Sequence, residues 1–178
     1  MTFEEVIKFL ETEYWQACRM TDSDIFAHLP TLRILAKQCK HVTEMGVRTG
    51  LSTTAFIAEN VVLRSFDITE YDNVTHMFNV ARSIGKDVQY IIANVLHVDI
   101  EQTDLLFIDT EHLYEQLSAE LELHHNKVNK FIALHDTYAP WGLELMPAIL
   151  EFLAKHQEWT VKSHTRECHG LTVLQRRQ

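Results

Sequence analysis

Val42-Thr43-Glu44-Met45-Gly46-Val47-Arg48-Thr49-Gly50-Leu51-Ser52-Thr53-Thr54 decides how the chain is read. The stretch has the pattern of a strand, a turn bearing two glycines, and a helix start. Gly46 and Gly50 can adopt positive φ and let backbone approach a ligand, and Ser52 or Thr53 is placed to cap the helix continuing through Ala55-Phe56-Ile57. Unpaired N–H groups at such a start favour an anionic or polar ligand group.

Working outward from this turn, short apolar runs alternate with amphipathic ones. Strands are predicted at 41–44, 61–66, 88–92, 105–108, 131–134, 159–163 and 171–174, and helices at 53–59, 71–84, 112–129 and 143–156. Short apolar strands between amphipathic helices imply a parallel sheet covered on both faces, an α/β fold. Upstream, Phe3, Val6, Ile7, Leu10 and Tyr14 fall at helical spacing over 3–18, and a second helix follows Asp22-Ser23-Asp24 with Ile25, Leu29, Leu32, Ala36 and Cys39 along one side. These stripes must be covered by the sheet or by another copy of the chain, and the second option is a homo-oligomer through the N-terminal helices. The expected organisation is one domain over 1–178, a helical extension (1–40) on an α/β core (41–175).

Composition narrows the function classes. A chain of 178 residues with 46% hydrophobic residues suits a single well-cored domain. The net charge of -9, with Arg176-Arg177 as the basic cluster, argues against a nucleic-acid partner. Cys18, Cys39 and Cys168 are odd in number, dispersed and without metal-ligand spacing, as expected of reduced thiols in a cytoplasmic protein. Neither a membrane-spanning run nor a signal peptide is expected, since Glu4 and Glu5 stand beside Phe3.

In open α/β sheets ligands bind beyond the carboxyl ends of the strands, so the residues standing there carry the chemistry. The second strand ends on Asp67, more than twenty residues beyond Gly46, where a carboxylate can accept hydrogen bonds from a ribose diol or simply cap the turn before Tyr71. The fourth runs Leu105-Leu106-Phe107-Ile108-Asp109-Thr110-Glu111-His112, and the fifth Phe131-Ile132-Ala133-Leu134-His135-Asp136. Asp109 and Asp136 on neighbouring strand ends are hard oxygen ligands suited to Mg²⁺, Ca²⁺ or Mn²⁺, and His135 as a third ligand shifts the preference toward Mn²⁺, Fe²⁺ or Zn²⁺. His112 has the ordinary pKa of a general base, and His135 competes for that role. Tyr138-Ala139-Pro140-Trp141-Gly142 forms an aromatic loop near the same edge, whereas His124-His125, late in a helix, is assigned no chemistry.

The spacing Glu44-x-Gly46-x-x-x-Gly50-x-Ser52 resembles the cofactor loop of class I S-adenosylmethionine (SAM) dependent methyltransferases. With Phe107-Ile108-Asp109-x-x-His112-x-Tyr114, it looks most like their small-molecule O-methyltransferases and the metal-dependent macrocin- and cephalosporin-pathway relatives. The resemblance implies a Rossmann-like, mostly parallel seven-stranded sheet with an antiparallel last strand. It places Glu44, Gly46, Val47, Arg48, Gly50 and Ser52 around the methionine part of SAM and Asp67 on its ribose. Asn94 and Val95 would stand near the adenine, where the family commonly carries a Gly-Asp pair. It makes Asp109 a cofactor neighbour and a catalytic residue, with His112 or His135 as base, and gives Asp109, His135 and Asp136 to a divalent cation such as Mg²⁺. The implied reaction methylates a hydroxyl of a small-molecule acceptor; the alternative is a catalytically inactive SAM-binding or interaction module. A nicotinamide-binding oxidoreductase is disfavoured, because Gly46 and Gly50 do not fit Gly-x-Gly-x-x-Gly.

Overall fold

The strands present two apolar faces because successive side chains point to opposite sides of a pleated sheet. In the computed structural model, which describes residues 1–177, these strands are β1 (His41–Met45), β2 (Val62–Asp67), β3 (Val88–Ile92), β4 (Thr103–Ile108), β5 (Val128–His135), β6 (Trp159–Thr165) and β7 (Leu171–Arg176). They form one sheet in the order β3-β2-β1-β4-β5-β7-β6, and β7 alone runs antiparallel to its neighbours. Val42, Leu63, Leu105, Phe107, Phe131 and Ala133 face one core, and Met45, Phe66, Leu106, Ile108, Ile132 and Leu134 the other.

Helices α1 (Phe3–Ala17), α2 (Leu29–Ala36), α3 (Leu51–Ile57) and α4 (Asp72–Arg82) cover the first face; α5 (Tyr114–His124) and α6 (Gly142–Lys155) cover the second. The stripes of the two leading helices are covered by the sheet domain itself: Val6, Leu10, Tyr14, Leu29 and Leu32 are buried in the first core. Among the described residues, no helix is long and apolar enough to cross a membrane.

Several boundaries differ from the sequence reading. The helix expected at 112–129 is α5 alone, followed by a 3₁₀ turn at His125–Lys127, and β5 starts at Val128. His124, the last residue of α5, is buried with its Nε2 bonded to Val95 O at 2.9 Å. Helix α3 starts at Leu51 with Gly50 as its left-handed cap, and no side chain caps it. Ser52 and Thr53 do not cap because their hydroxyls turn inward to Glu44.

The chain winds outward in both directions from β1 and β4, and this switch point is where Gly46 sits. Its N–H bonds Phe66 O at 2.9 Å while Asp109 N bonds Met45 O at 2.8 Å, drawing the ends of β1, β2 and β4 together. At φ +84°, a Cβ added to Gly46 would lie 1.9 Å from Asp109 O. The same addition at Gly50 meets the Val74 side chain at 3.0 Å. Gly50→Ala is therefore expected to cost about 1–2 kcal/mol from left-handed backbone strain. Gly46→Ala should cost considerably more or prevent folding, because rigid backbone must move. Urea denaturation of both variants checks this; equal losses would contradict the close approach.

Candidate active site

Beneath the turn lies a buried carboxyl. Glu44 is wholly buried, and it accepts hydrogen bonds from Ser52 Oγ (2.6 Å), Thr53 Oγ1 (2.9 Å) and Ser65 Oγ (2.5 Å). Burial pushes its pKa up to about 7 against the lowering effect of the three hydroxyls. Glu44, expected beside a cofactor, instead ties β1 and β2 to the first turn of α3. Ser52, expected in the same place, has its hydroxyl committed to that carboxyl, although the residue does border a cavity.

Asp67 holds the turn from above. Its Oδ2 accepts from Val47 N at 2.9 Å and Arg48 N at 2.8 Å, and its Oδ1 from Thr69 N at 2.9 Å. A carboxylate offers about four acceptor sites, so one remains on Oδ1 for a ligand hydroxyl. Arg48 takes φ +51°, and its exposed guanidinium reaches Asp24 at 3.2 Å.

Two cavities open at the carboxyl ends of the strands, each of a size that suits a small molecule. One, of about 360 Å³, is lined by Gly46, Phe66, Asp67, Ala93, Asn94 and Val95, and reaches Thr110, Glu111 and Gln116. Asn94 uses Oδ1 to cap the turn at Val95–His97 through Leu96 N (2.9 Å), leaving its amide nitrogen free to donate. The other, of about 400 Å³, is lined by Asp22, Asp24, Val47, Arg48, Thr49 and Ser52, with Asp109 and His169 among its walls. Arg48 and Asp109 border both.

Behind Asp109 stands a cluster of histidines. The His135 ring is buried; Nδ1–H faces Asp109 Oδ1 (3.2 Å) and Asp136 Oδ2 (3.1 Å), and Nε2–H donates to the carbonyls of Asp24 and Cys168, both at 3.1 Å. Every neighbour of both nitrogens is an acceptor, so the ring is an imidazolium. Burial alone would lower its pKa, but the two aspartates outweigh that and lift it to about 10. A ring protonated on both nitrogens has no lone pair for a metal or for a substrate proton. His135, expected as a metal ligand and as a base, instead bonds acceptors through both ring nitrogens, and it lies outside the group of Asp109, His112 and Asp136 whose ligand atoms converge.

Asp136, at φ +57°, receives three imidazoles: His135, His112 Nε2 on Oδ2 at 2.7 Å, and His169 Nδ1 on Oδ1 at 3.2 Å. Burial would raise its pKa, but the bonds from His112 and His135 hold the carboxyl well below the usual range. The bond to Asp136 raises His112 against burial, and Trp141 stacks on that ring with centroids 4.7 Å apart. The aromatic loop is thus packed on the cluster. His112 precedes α5 rather than lying on it, and borders a crevice of about 10 Å³ instead of either cavity. Ligand atoms of Asp109, His112 and Asp136 lie within 4.8 Å of one another, a two-carboxylate, one-imidazole set that fits a divalent cation once His112 takes the place of His135.

His169 escaped the sequence reading. It lies in the loop before β7, at φ +62° and followed by Gly170, whose added Cβ would meet Tyr138 at 2.7 Å. A His-Gly pair just before the strand that pairs with β5 was the available signal. Its Nδ1 is taken up by Asp136, and the ring is among the walls of the 400 Å³ cavity.

No protein-family model matches the chain, and no curated protein matches its sequence. Solved structures do match in shape. N-methyltransferase NodS from Bradyrhizobium japonicum WM9, in complex with S-adenosyl-L-homocysteine, aligns with a TM-score of 0.64 at 12% identity, over 97% of this chain and 99% of that one. The fold is that of the class I methyltransferases. The 1,6-didemethyltoxoflavin-N1-methyltransferase of Burkholderia thailandensis, with 1,6-didemethyltoxoflavin and S-adenosylhomocysteine bound, gives 0.63 at 14% identity over 99% and 89%. A Staphylococcus aureus protein provisionally named a caffeoyl-CoA O-methyltransferase gives 0.63 at 14% over 84% and 83%.

The imidazolium between two aspartates links stability to pH. With its pKa raised from 6.5 to about 10, His135 contributes stability that is fully present below pH 6.5 and is lost as pH rises toward 10. Glu44 and Glu120, both raised to about 7, work below that window. Between pH 7 and 9 the unfolding free energy should fall by about 1.4 kcal/mol per pH unit, and His135→Gln should flatten that slope. Nitrogen NMR of the ring at pH 8 should show both nitrogens protonated; a neutral ring would overturn the assignment.

Proposed function

We propose that this protein transfers a methyl group from SAM to a hydroxyl of a small molecule. The observation that carries the reading is the position of Asp109, which borders both cavities at the switch point of a methyltransferase-type sheet. The residues present fit the cofactor. Asp67 has one acceptor site left for a ribose hydroxyl, the Asn94 amide can donate to an adenine edge, and Phe66, Ala93 and Val95 supply apolar faces. Arg48, on the border of the two cavities, supplies a cation for the methionine carboxylate. When bound, SAM supplies an electrophilic methyl on its sulfonium.

The remaining work belongs to this chain. The cavity bounded by Asp109 and His169 holds the acceptor, and His169 Nε2 accepts the hydroxyl proton while Asp136 holds the ring. Orientation of the two partners provides much of the rate. A divalent cation would be held by Asp109, His112 and Asp136, behind the Asp109 wall of the acceptor cavity, where it would add positive charge beside the acceptor. The N-methyltransferases among the solved counterparts make nitrogen the competing acceptor atom.

Calorimetric titration with SAM tests the cofactor. Asp67→Asn should weaken binding by about 10- to 100-fold, as expected for hydrogen bonds to a charged group, while leaving the chain folded. Unchanged affinity would remove Asp67 from the cofactor site. With hydroxylated small molecules as acceptors, His169→Gln should lower kcat by about 10²–10⁴-fold with SAM affinity retained. Full activity of that variant rules out His169 as the base, and full activity in chelator rules out the cation. Tight SAM binding with no transfer to any acceptor would mean a binding module instead.

A further inference from the structure

A second cluster of potential ligands lies at the opposite rim of the sheet, beside the amino ends of β5 and β6. Glu122 and His125 come from the end of α5 and the 3₁₀ turn after it, His156 caps α6, and Glu158 directly precedes β6. Ligand atoms of Glu122, His125 and His156 all lie within 4.8 Å of one another. His156 turns one nitrogen to each carboxylate: Nε2 stands 3.2 Å from Glu122 Oε2, and Nδ1 3.8 Å from Glu158 Oε1. Its ring lies against that of His125, with centroids 4.0 Å apart. At about 3.3 Å per residue, the eight residues of β5 separate this cluster from Asp136 by roughly 25 Å.

An independent observation sits within it. The His125 ring is 6% exposed, and its Nδ1 is buried with no hydrogen-bond partner; Glu158 Oε1 is 3.6 Å away, beyond bonding distance. Buried ring nitrogens are normally satisfied, and one left open toward a carboxylate and a second imidazole is the arrangement a bound ion explains. The carboxylates of Glu122 and Glu158 remain partly exposed, so an ion can reach the cluster from solvent. The competing cation, Lys155, is 3.8 Å from Glu122 but is engaged by Glu151 at 2.9 Å. Arg176 lies over Trp159 and donates to Val128 O.

We propose that Glu122, His125 and His156, with Glu158 as fourth ligand, form a binding site for a divalent transition-metal ion, Zn²⁺ by preference, that ties α5 and α6 to the start of β6. Two imidazoles with carboxylates suit zinc in tetrahedral coordination, and they select against Mg²⁺ and Ca²⁺, which favour all-oxygen sites. The spacings Glu-x-x-His at 122–125 and His-x-Glu at 156–158 are short enough for the local backbone to hold the ligands in place.

The test uses the full chain, with Zn²⁺ in calorimetry and Co²⁺ in visible absorption, where tetrahedral coordination has a distinct signature. An Asp109→Asn, Asp136→Asn double variant separates this site from the aspartate cluster. The wild type and the double variant should both bind one equivalent of Zn²⁺ here and show the tetrahedral Co²⁺ bands. Glu122→Gln and His156→Gln should each weaken that binding by at least about tenfold. Both replaced side chains reach solvent, so the variants are expected to fold. Anomalous diffraction at the zinc edge from a Zn²⁺-soaked crystal should place a peak among the four residues. Absence of that peak, or zinc binding that is lost only in the double variant, overturns the proposal.

Discussion

The approach of Gly46 to the Asp109 backbone is the constraint from which the rest of the rim follows. Two parallel strands leaving the switch point in opposite windings would splay at their carboxyl ends; here they are held so close that no side chain fits between them. The contact fixes the tops of β1 and β4 against each other, and the N–H of Gly46 adds β2 through Phe66 O. Glu44 below and Asp67 above then lock the turn from both sides, one by three hydroxyls and the other by backbone amides. A turn held this firmly keeps two cavities apart, with Asp109 between them.

The same rim concentrates charge. Burying Asp136 would be costly if it were unpaired, and three imidazoles surround it. One of them, His135, is held between Asp109 and Asp136 and also donates to carbonyls of the 22–24 loop and of the loop before β7. His28 stacks edge-on against His135 and donates through Nε2 to Glu167 O and Cys168 O at 2.9 and 3.2 Å. Segments far apart in sequence are therefore drawn to the acceptor cavity by a network centred on one buried ring. That network assigns different tasks to otherwise similar histidines: His135 holds, His112 is clamped under Trp141, and His169 keeps a free ring nitrogen at the cavity wall.

Much of this rim could be read from the chain because strand ends announce themselves. Phe107-Ile108-Asp109 and Ala133-Leu134-His135-Asp136 are apolar runs that stop on polar side chains, and the glycine turn lies where such a sheet must change direction. What could not be read depends on long-range geometry. No local pattern tells whether Ser52 caps its own helix or bonds Glu44, since both satisfy a hydroxyl. The protonation of His135 depends on Asp109 and Asp136 meeting the same ring nitrogen, which only the pairing of β4 with β5 brings about. His169 enters the cavity because β7 inserts between β5 and β6, an event that the spacing of the loop does not reveal. The end of α5 differs for a related reason: the chain passes into a 3₁₀ turn at His125–Lys127, just after His124, whose imidazole bonds a carbonyl on the turn after β3.

The central claim is that β1, β2 and β4 together form a nucleoside seat whose open side faces the acceptor cavity. A crystal structure with S-adenosylhomocysteine tests this most directly. The account predicts the ribose within hydrogen-bonding distance of Asp67 Oδ1, the adenine beside Asn94 and Val95, and the sulfur turned toward the cavity shared by Asp109 and His169. A ligand bound elsewhere, or one in this seat with its sulfur directed away from that cavity, would contradict it.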